Sequence, residues 1–295
     1  MKVYKSVNFA EAYRNLLFDL LKHPQYVCSP RGIKIHEIMN ASIVLSNPLS
    51  GLYSNDRRSS QLKYIAAELL YYFNGRNDLK FIEKYAKFWG SIANEDGTVN
   101  SAYGNLIFSK TNEHGFNQYN WAYNCLKKDK DSRQAIMHFN MPEHQYESNK
   151  DFVCTLNGIC HIREDKLDFT VFMRSHDAIL GLPTDVTFFT MLQQQMCKHL
   201  KETFYPELTL GTYTHQASSM HLYDRNFDLV AGMLKANFSQ MQNPLIKKDL
   251  INVYGIPSEE ISSMMELVEK GESVKPSDYS LKSDAIDWIG NWIES

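Results

Sequence analysis

Apolar and polar positions change their period along this chain, and the changes divide it. Residues 5–22 carry apolar side chains at helical spacing interrupted by charges, which predicts an amphipathic helix. From Ile33 to Leu45 the spacing drops to two (Ile33 and Ile35, then Ile43 and Leu45), predicting a strand with a break near Asn40. The polar run NPLSGLYSNDRRSS reads as a loop. Helical spacing returns in QLKYIAAELLYYF, stopped by Asn74-Gly75, and again over residues 78–90. ANEDGTVNSAYGN is dense in turn formers, and a further helix is expected near 116–129.

Beyond residue 130 the texture changes. RQAIMHF, FVCTLNGICHI and LDFTVFMR are three strand-like runs separated by polar turns such as REDK. Val186 to Leu200 predicts a helix, ELTLGTYTHQ a strand, and 226–237 another helix. After residue 240 the chain turns polar and closes on DAIDWIGNWIES, a short helix carrying Trp288 and Trp292. Helices, then a block of strands, then helices to pack on them predict an α+β domain around a mostly continuous sheet. Residues 1–240 are expected to form this domain, with 241–295 a partly helical extension packed on it.

With 295 residues, 43% of them hydrophobic, the chain can bury a sizeable core. Against 34 acidic residues stand 31 basic ones, with no basic arm, so a nucleic acid is not the expected partner. A phosphate site would have to be local, built from a few placed arginines. The first residues lack the charged stub and apolar block of a secretory signal, and no apolar run is long enough to span a membrane. The five cysteines are scattered without a C-x-x-C pair, which fits a reducing cytoplasm and makes a metal site unexpected.

Several residues could carry chemistry, each beside a plainer reading. Cys154 sits in a strand-like run, where a free cysteine is most often core; positive charge nearby, from Arg133 or Arg174, would make it a nucleophile. Glu68 lies among Tyr64, Ile65, Leu69, Tyr72 and Phe73, so it is either a solvated helix edge or a proton-transfer group raised by burial. Arg31, Arg133 and Arg174 are surface ion pairs taken singly, and a phosphate-monoester site taken together with serines. His221 and Tyr223 would face one side of a strand, and Trp89 and Tyr103 flank a turn-rich loop as core or stacking wall. Asp185, just past Gly-Leu-Pro, reads first as a helix N-cap.

Taken in order, these pieces resemble the thymidylate synthase superfamily over roughly residues 29–235. SPRGIKIHEI resembles the mobile loop with a phosphate arginine, here Arg31. AELLYYFNG resembles the helix of the catalytic glutamate, here Glu68, and FWGSIANEDGTVNSAYG the segment with a folate-side tryptophan and a catalytic tyrosine, here Trp89 and Tyr103. DSRQ resembles the loop that reaches across a dimer to the partner's phosphate, which assigns that role to Arg133. FVCTL places Cys154 at the family nucleophile. RSHDAILGLPTDV resembles RSxDxxLGLPFN, with Arg174 and Ser175 toward phosphate and Asp177 toward the pterin, and HLY resembles the sugar-binding His-x-Tyr, here His221 and Tyr223. The resemblance implies a mixed β-sheet covered by helices, two such sheets packed back to back in a homodimer, and 5,10-methylenetetrahydrofolate as co-substrate.

Three departures narrow it. Asp185 stands where synthases have asparagine, Val153-Cys154-Thr155 replaces Pro-Cys-His, and Gln134 replaces the second arginine of the dimer-crossing pair. Asp185, Cys154-Thr155 and the Asn-Ser-x-Tyr-Gly run at Asn100–Gly104 together look more like the phage deoxycytidylate hydroxymethylases of the same superfamily. An asparagine amide complements the N3–H and O4 of uracil, whereas a carboxyl complements the amino group and N3 of cytosine. Asp185 is therefore expected to read cytosine, and dCMP to be converted to its 5-hydroxymethyl derivative through a covalent adduct between Cys154 and C6. Glu68 and Asp185 would move protons and Tyr103 would assist at C5. A dCMP 5-methylase, a CMP 5-hydroxymethylase, a dUMP enzyme and a nucleotide- or RNA-binding relic of the fold are the alternatives. The cytoplasm is the expected location, that of the host if the chain is phage-encoded.

Overall fold

The computed structural model describes residues 1–274 and 284–295. A sheet runs through its centre in the order β1-β3-β9-β7-β6-β5, made of β1 (Lys2–Ser6), β3 (Ile35–Leu45), β9 (Thr209–Tyr223), β7 (Lys166–Met173), β6 (Thr155–Arg163) and β5 (Ile136–His138). β2 (Tyr26–Cys28) pairs antiparallel with β3, and β8 (His176–Asp177) pairs parallel with β9. β3 and β9 are antiparallel, β9 and β7 parallel, β7 and β6 antiparallel. The start of β6 and the ends of β7 and β9 therefore lie at one end of the sheet.

Helix α6 (Leu182–Thr203) is the centre of the core. Its residues are buried on nearly every side, including Thr187, Thr190, Gln193 and Gln195. Most polar groups find partners: Thr187 and Thr190 bond carbonyls one turn back at 3.0 and 2.7 Å, and Gln193 Nε2 donates to the Leu167 carbonyl at 2.8 Å, while its Oε1 has no partner. Along the strands, Cys160, Phe169, Val171, Tyr213 and His215 point into this core. Their alternate neighbours Ile159, Thr170, Phe172, Thr214 and Gln216 lie on the opposite face and stay half-buried. α1 (Phe9–Lys22) packs on β3, and α2 (Leu62–Phe73) packs between α6, α8 (Glu259–Lys270) and α9 (Ala285–Glu294).

The α+β class is as the pattern predicts and the mixed sheet as the resemblance implies; several boundaries differ. The helix expected from residue 5 starts at Phe9, capped by the Asn8 side chain, because Lys2–Ser6 pairs as an edge strand with β3. Asn40 takes a positive φ of 52° and interrupts the β3–β9 ladder, which resumes in the same register. The run read as a loop contains β4 (Leu52–Asn55), which pairs with β10 (Phe238–Met241), a partner almost 200 residues away that local pattern does not reveal. The helix expected over 78–90 is two short ones, α3 (Leu79–Ile82) and α4 (Phe88–Ile92), and the one near 116–129 is α5 (Gln118–Lys128). The strand expected to end at Gln216 continues to Tyr223, and α7 (Phe227–Lys235) follows. In the polar stretch after 240, α8 buries Ile261, Met264 and Met265.

Candidate active site

At the end of the sheet where β6 starts and β7 and β9 finish, two adjoining cavities of about 380 and 580 Å³ share Arg31, Phe152, Arg174, Ser175, His221 and Tyr223 and form one cleft. Glu68, Trp89, Tyr103, Cys154, Asp177 and Asp185 line its larger part. Every residue singled out from the sequence thus meets in one place except Arg133, which is exposed and lines neither cavity.

Cys154 precedes β6 by one residue rather than lying within it. Arg174, at the end of β7, clamps this segment: Nε donates to the Val153 carbonyl at 3.2 Å, Nη2 donates to the Phe152 carbonyl, and Nη2 lies 3.3 Å from the Cys154 sulfur. The guanidinium also stacks on Phe152 at 4.7 Å. Burial pushes the Cys154 thiol up, Arg174 and Arg31 pull it down, and Asp185 and Asp151 push it up again. In the free protein burial wins, so the thiol keeps its proton near neutrality.

Glu68 occupies the centre of α2, whose residues from Ile65 to Phe73 are all buried. Its Oε1 accepts from Tyr64 at 2.8 Å and Tyr72 at 3.1 Å, and Trp89 Nε1 donates to the Tyr64 oxygen at 3.0 Å. Oε2 is buried and has no partner. Burial, then the charge of Asp185, raises Glu68 to about 8 despite the two tyrosine hydroxyls. Because Oε1 already accepts twice, the proton belongs on Oε2. Tyr103 is brought beside Tyr72, with ring centres 5.4 Å apart. That approach requires Gly104, where any Cβ would stand 1.9 Å from the Tyr72 carbonyl oxygen. Burial raises Tyr103 well above 10, and Asp185 and Cys154 push the same way.

Asp185 is not an N-cap. α6 begins at Leu182, with Pro183 in its first turn, and the Asp185 amide already donates to the Gly181 carbonyl at 3.0 Å. Its side chain is buried, and burial raises it to about 8. Oδ2 lies 2.9 Å from His176 Nε2. His176, on β8, was not foreseen from the sequence, nor was its contact with His215; each side chain stands alone in its own segment, and only the β8–β9 pairing joins them.

At the other end of the cleft, Arg31 sits on a tight turn, Pro30–Gly32, at a positive φ of 54°. Ser175 Oγ is 3.5 Å from His221 Nδ1, His221 packs edge-on against Tyr223, and Arg225 lies over the Tyr223 ring at 4.2 Å. Asp177 Oδ1 accepts from the Ile179 and Leu180 amides at 2.8 and 3.3 Å, so this carboxylate also fixes the turn leading to α6. Phe88 and Leu180, 60% and 48% exposed, leave an apolar rim beside Trp89 and Ile92, a surface suited to a flat ring. Among the described residues no cluster of His, Cys, Asp and Glu is arranged to hold a metal ion.

A cysteine beside an arginine and two proton-bearing carboxyls, in a cleft with cations at one end and an apolar rim at the other, is the equipment of a one-carbon transferase acting on a nucleotide. The chain belongs to the thymidylate synthase family, whose sequence profile matches residues 12–263. It is 30% identical over 248 residues to the deoxycytidylate 5-hydroxymethyltransferase of Enterobacteria phage T4, covering 79% of this chain and 92% of that one. A protein named deoxyuridylate hydroxymethyltransferase, from Bacillus phage SP01, is 26% identical over 72% of this chain and 56% of its own length. Thermostable thymidylate synthase A from Bacillus subtilis has the same fold, with a TM-score of 0.66 at 19% identity over 84% of this chain and 92% of that one. The profile's match extends past residue 240, to α8.

Proposed function

We propose that this enzyme transfers a one-carbon unit from 5,10-methylenetetrahydrofolate to C5 of dCMP and completes the reaction with water, giving 5-hydroxymethyl-dCMP and tetrahydrofolate. The observation that carries the reading is Asp185, a buried carboxyl held near 8 on the wall of the cleft. Protonated, it donates to N3 of cytosine and accepts from the 4-amino group. Against the ionised carboxyl, which is an acceptor only, uracil O4 would face a second acceptor, and such a buried mismatch costs about 1–3 kcal/mol. The names carried by the phage relatives support the same base and the same hydroxymethyl outcome.

The chemistry follows from these groups. Cys154 gives its thiol proton to solvent, and the thiolate, stabilised by Arg174, bonds to C6 of the base. The C5=C6 electrons shift to C4=C5, and N3 takes the Asp185 proton. C5 is then nucleophilic. Folate, when bound against Trp89 with Asp177 at the pterin, supplies the electrophilic methylene. The C5 proton leaves toward water near Tyr103, and cleavage of the carbon–nitrogen bond to folate leaves an exocyclic methylene on the base. Water adds to that methylene with Glu68 handling the proton, and departure of the thiolate from C6, with N3 returning its proton to Asp185, restores the ring. Arg31, Arg174 and Ser175 take the phosphate, and His221 and Tyr223 the 3′-hydroxyl. Arg133 lies outside its own cleft, and the half-buried sheet face offers a surface for a second copy, which fits Arg133 serving the partner's phosphate.

The test is the product. Incubation with dCMP, methylenetetrahydrofolate and heavy-oxygen water should yield a 5-hydroxymethyl product carrying the label, with tetrahydrofolate. A 5-methyl product with dihydrofolate would overturn hydration, and faster turnover of CMP or dUMP than of dCMP would overturn the substrate.

A further inference from the structure

Behind Asp185 a line of buried polar groups runs into the core. His176 Nδ1 is 2.8 Å from His215 Nε2, with the ring planes 28° apart, and His215 Nδ1 is 2.7 Å from the Tyr213 hydroxyl. His215 and Tyr213 are wholly buried on β9, and His176 nearly so. The nitrogen left over is His176 Nε2, which has no hydrogen-bond partner along its own axis yet sits 2.9 Å from Asp185 Oδ2. Gly181 allows this approach, since a Cβ there would come within 2.9 Å of the same nitrogen.

We propose that His176, held by His215 and Tyr213, is a positioning residue that aims Asp185 at the base and stabilises the carboxylate left when Asp185 gives its proton to N3. The inference rests on Asp185 reading cytosine. Its logic is donor arithmetic. Burial holds both imidazoles neutral, with His176 near 3 and His215 well below its usual value, so each ring has one donor and one acceptor. If the Tyr213 hydroxyl donates to His215 Nδ1, then His215 Nε2–H must donate to His176 Nδ1. His176 Nε2 then carries the hydrogen and presents it to Asp185. A small rotation of the Asp185 carboxyl would complete the bond, and the N–H favours the ionised acid over the protonated one. Burial alone raises Asp185, and the titratable groups that feel its charge are Glu68, Tyr64 and Tyr72 from α2, Tyr103, Cys154 and Tyr213. None of them is a cation that could do this instead.

Tyr213→Phe and His215→Phe remove the chain's far members without touching substrate. The readouts are dCMP affinity against pH and kcat. In the wild type, affinity should fall as pH rises through the Asp185 titration. In either variant the midpoint should move up by about half a unit or more, and kcat should drop about tenfold, with affinity at neutral pH held within about twofold. Neither change should occur when the same substitutions are made in an Asp185→Asn protein. Loss of affinity and kcat together, with the midpoint unmoved, would mean that the histidines only fill space and would overturn the proposal. If Asp185→Asn shifts the base preference while Tyr213→Phe and His215→Phe leave midpoint and kcat alone, the histidine chain fails and the base reading stands. If Asp185→Asn leaves the preference for dCMP intact, the base reading itself fails.

Discussion

The two ends of the cleft are built for recognition by opposite means. At one end stands Arg31, exposed on a turn, and Arg174, half-buried and braced by carbonyls. At the other, Glu68 and Asp185 are buried acids that burial keeps protonated. A phosphate carries full charge and can be held by mobile, hydrated cations, even by one reaching in from another subunit. A base is neutral, and telling cytosine from uracil depends on where single protons sit. That requires groups removed from water, whose protonation is set by the fold. On the proposed reading the open end supplies affinity, and the closed end supplies identity and proton transfer.

The comparison is tested most severely at the junction of the two ends, Cys154. Cys154→Ser should lower turnover and release of tritium from C5 of dCMP by at least about 10⁴-fold, while calorimetry shows dCMP affinity within about threefold of wild type. Retained turnover would remove Cys154 from the nucleophile's role.

The open end is tested by mixing subunits. Arg133→Ala and Cys154→Ser proteins should each be nearly inactive. After subunit exchange, half the dimers are mixed and each has one intact site, so activity should recover to about a quarter of wild type. Absence of recovery after exchange is verified by mass would place Arg133 outside the partner's site.

How much of this was legible beforehand depends on how local the cause was. α6, α2 and β7 show in the sequence because burial imposes a period on each of them. β4, paired with β10, has its cause nearly 200 residues away and does not show. Within the site, Cys154, Glu68 and Asp185 stand in motifs whose order carries the family resemblance, but their protonation does not. It comes from the surrounding walls: Tyr64 and Tyr72 one turn either side of Glu68, and the helix start that buries Asp185. The N-cap reading of Asp185 failed because the Pro183 turn starts the helix earlier than the apolar pattern indicates. His176 and His215, 39 residues apart, meet only through strand pairing.

The closed end also leaves a mark on stability. Glu68 releases its proton near 4.5 when unfolded and near 8 when folded. Between those values the unfolded chain binds fewer protons, so stability should fall as pH rises from about 5 to 8. Asp185 carries a similar share of the slope, so Glu68→Gln should reduce it by about half and gain on the order of 1–3 kcal/mol over wild type at pH 9, measured by urea unfolding. An unchanged slope would mean that Glu68 is solvated and ionised in the folded protein.

The central claim is that a buried acid at position 185 selects cytosine, and the kcat/KM ratio for dUMP over dCMP measures it directly. Asp185→Asn is nearly isosteric and exchanges two hydrogen bonds at about 1–3 kcal/mol each, which predicts a rise in that ratio of at least about thirtyfold and up to about 10⁴-fold, with melting near wild type. A ratio unchanged from wild type, in a protein that folds and melts normally, would contradict the account.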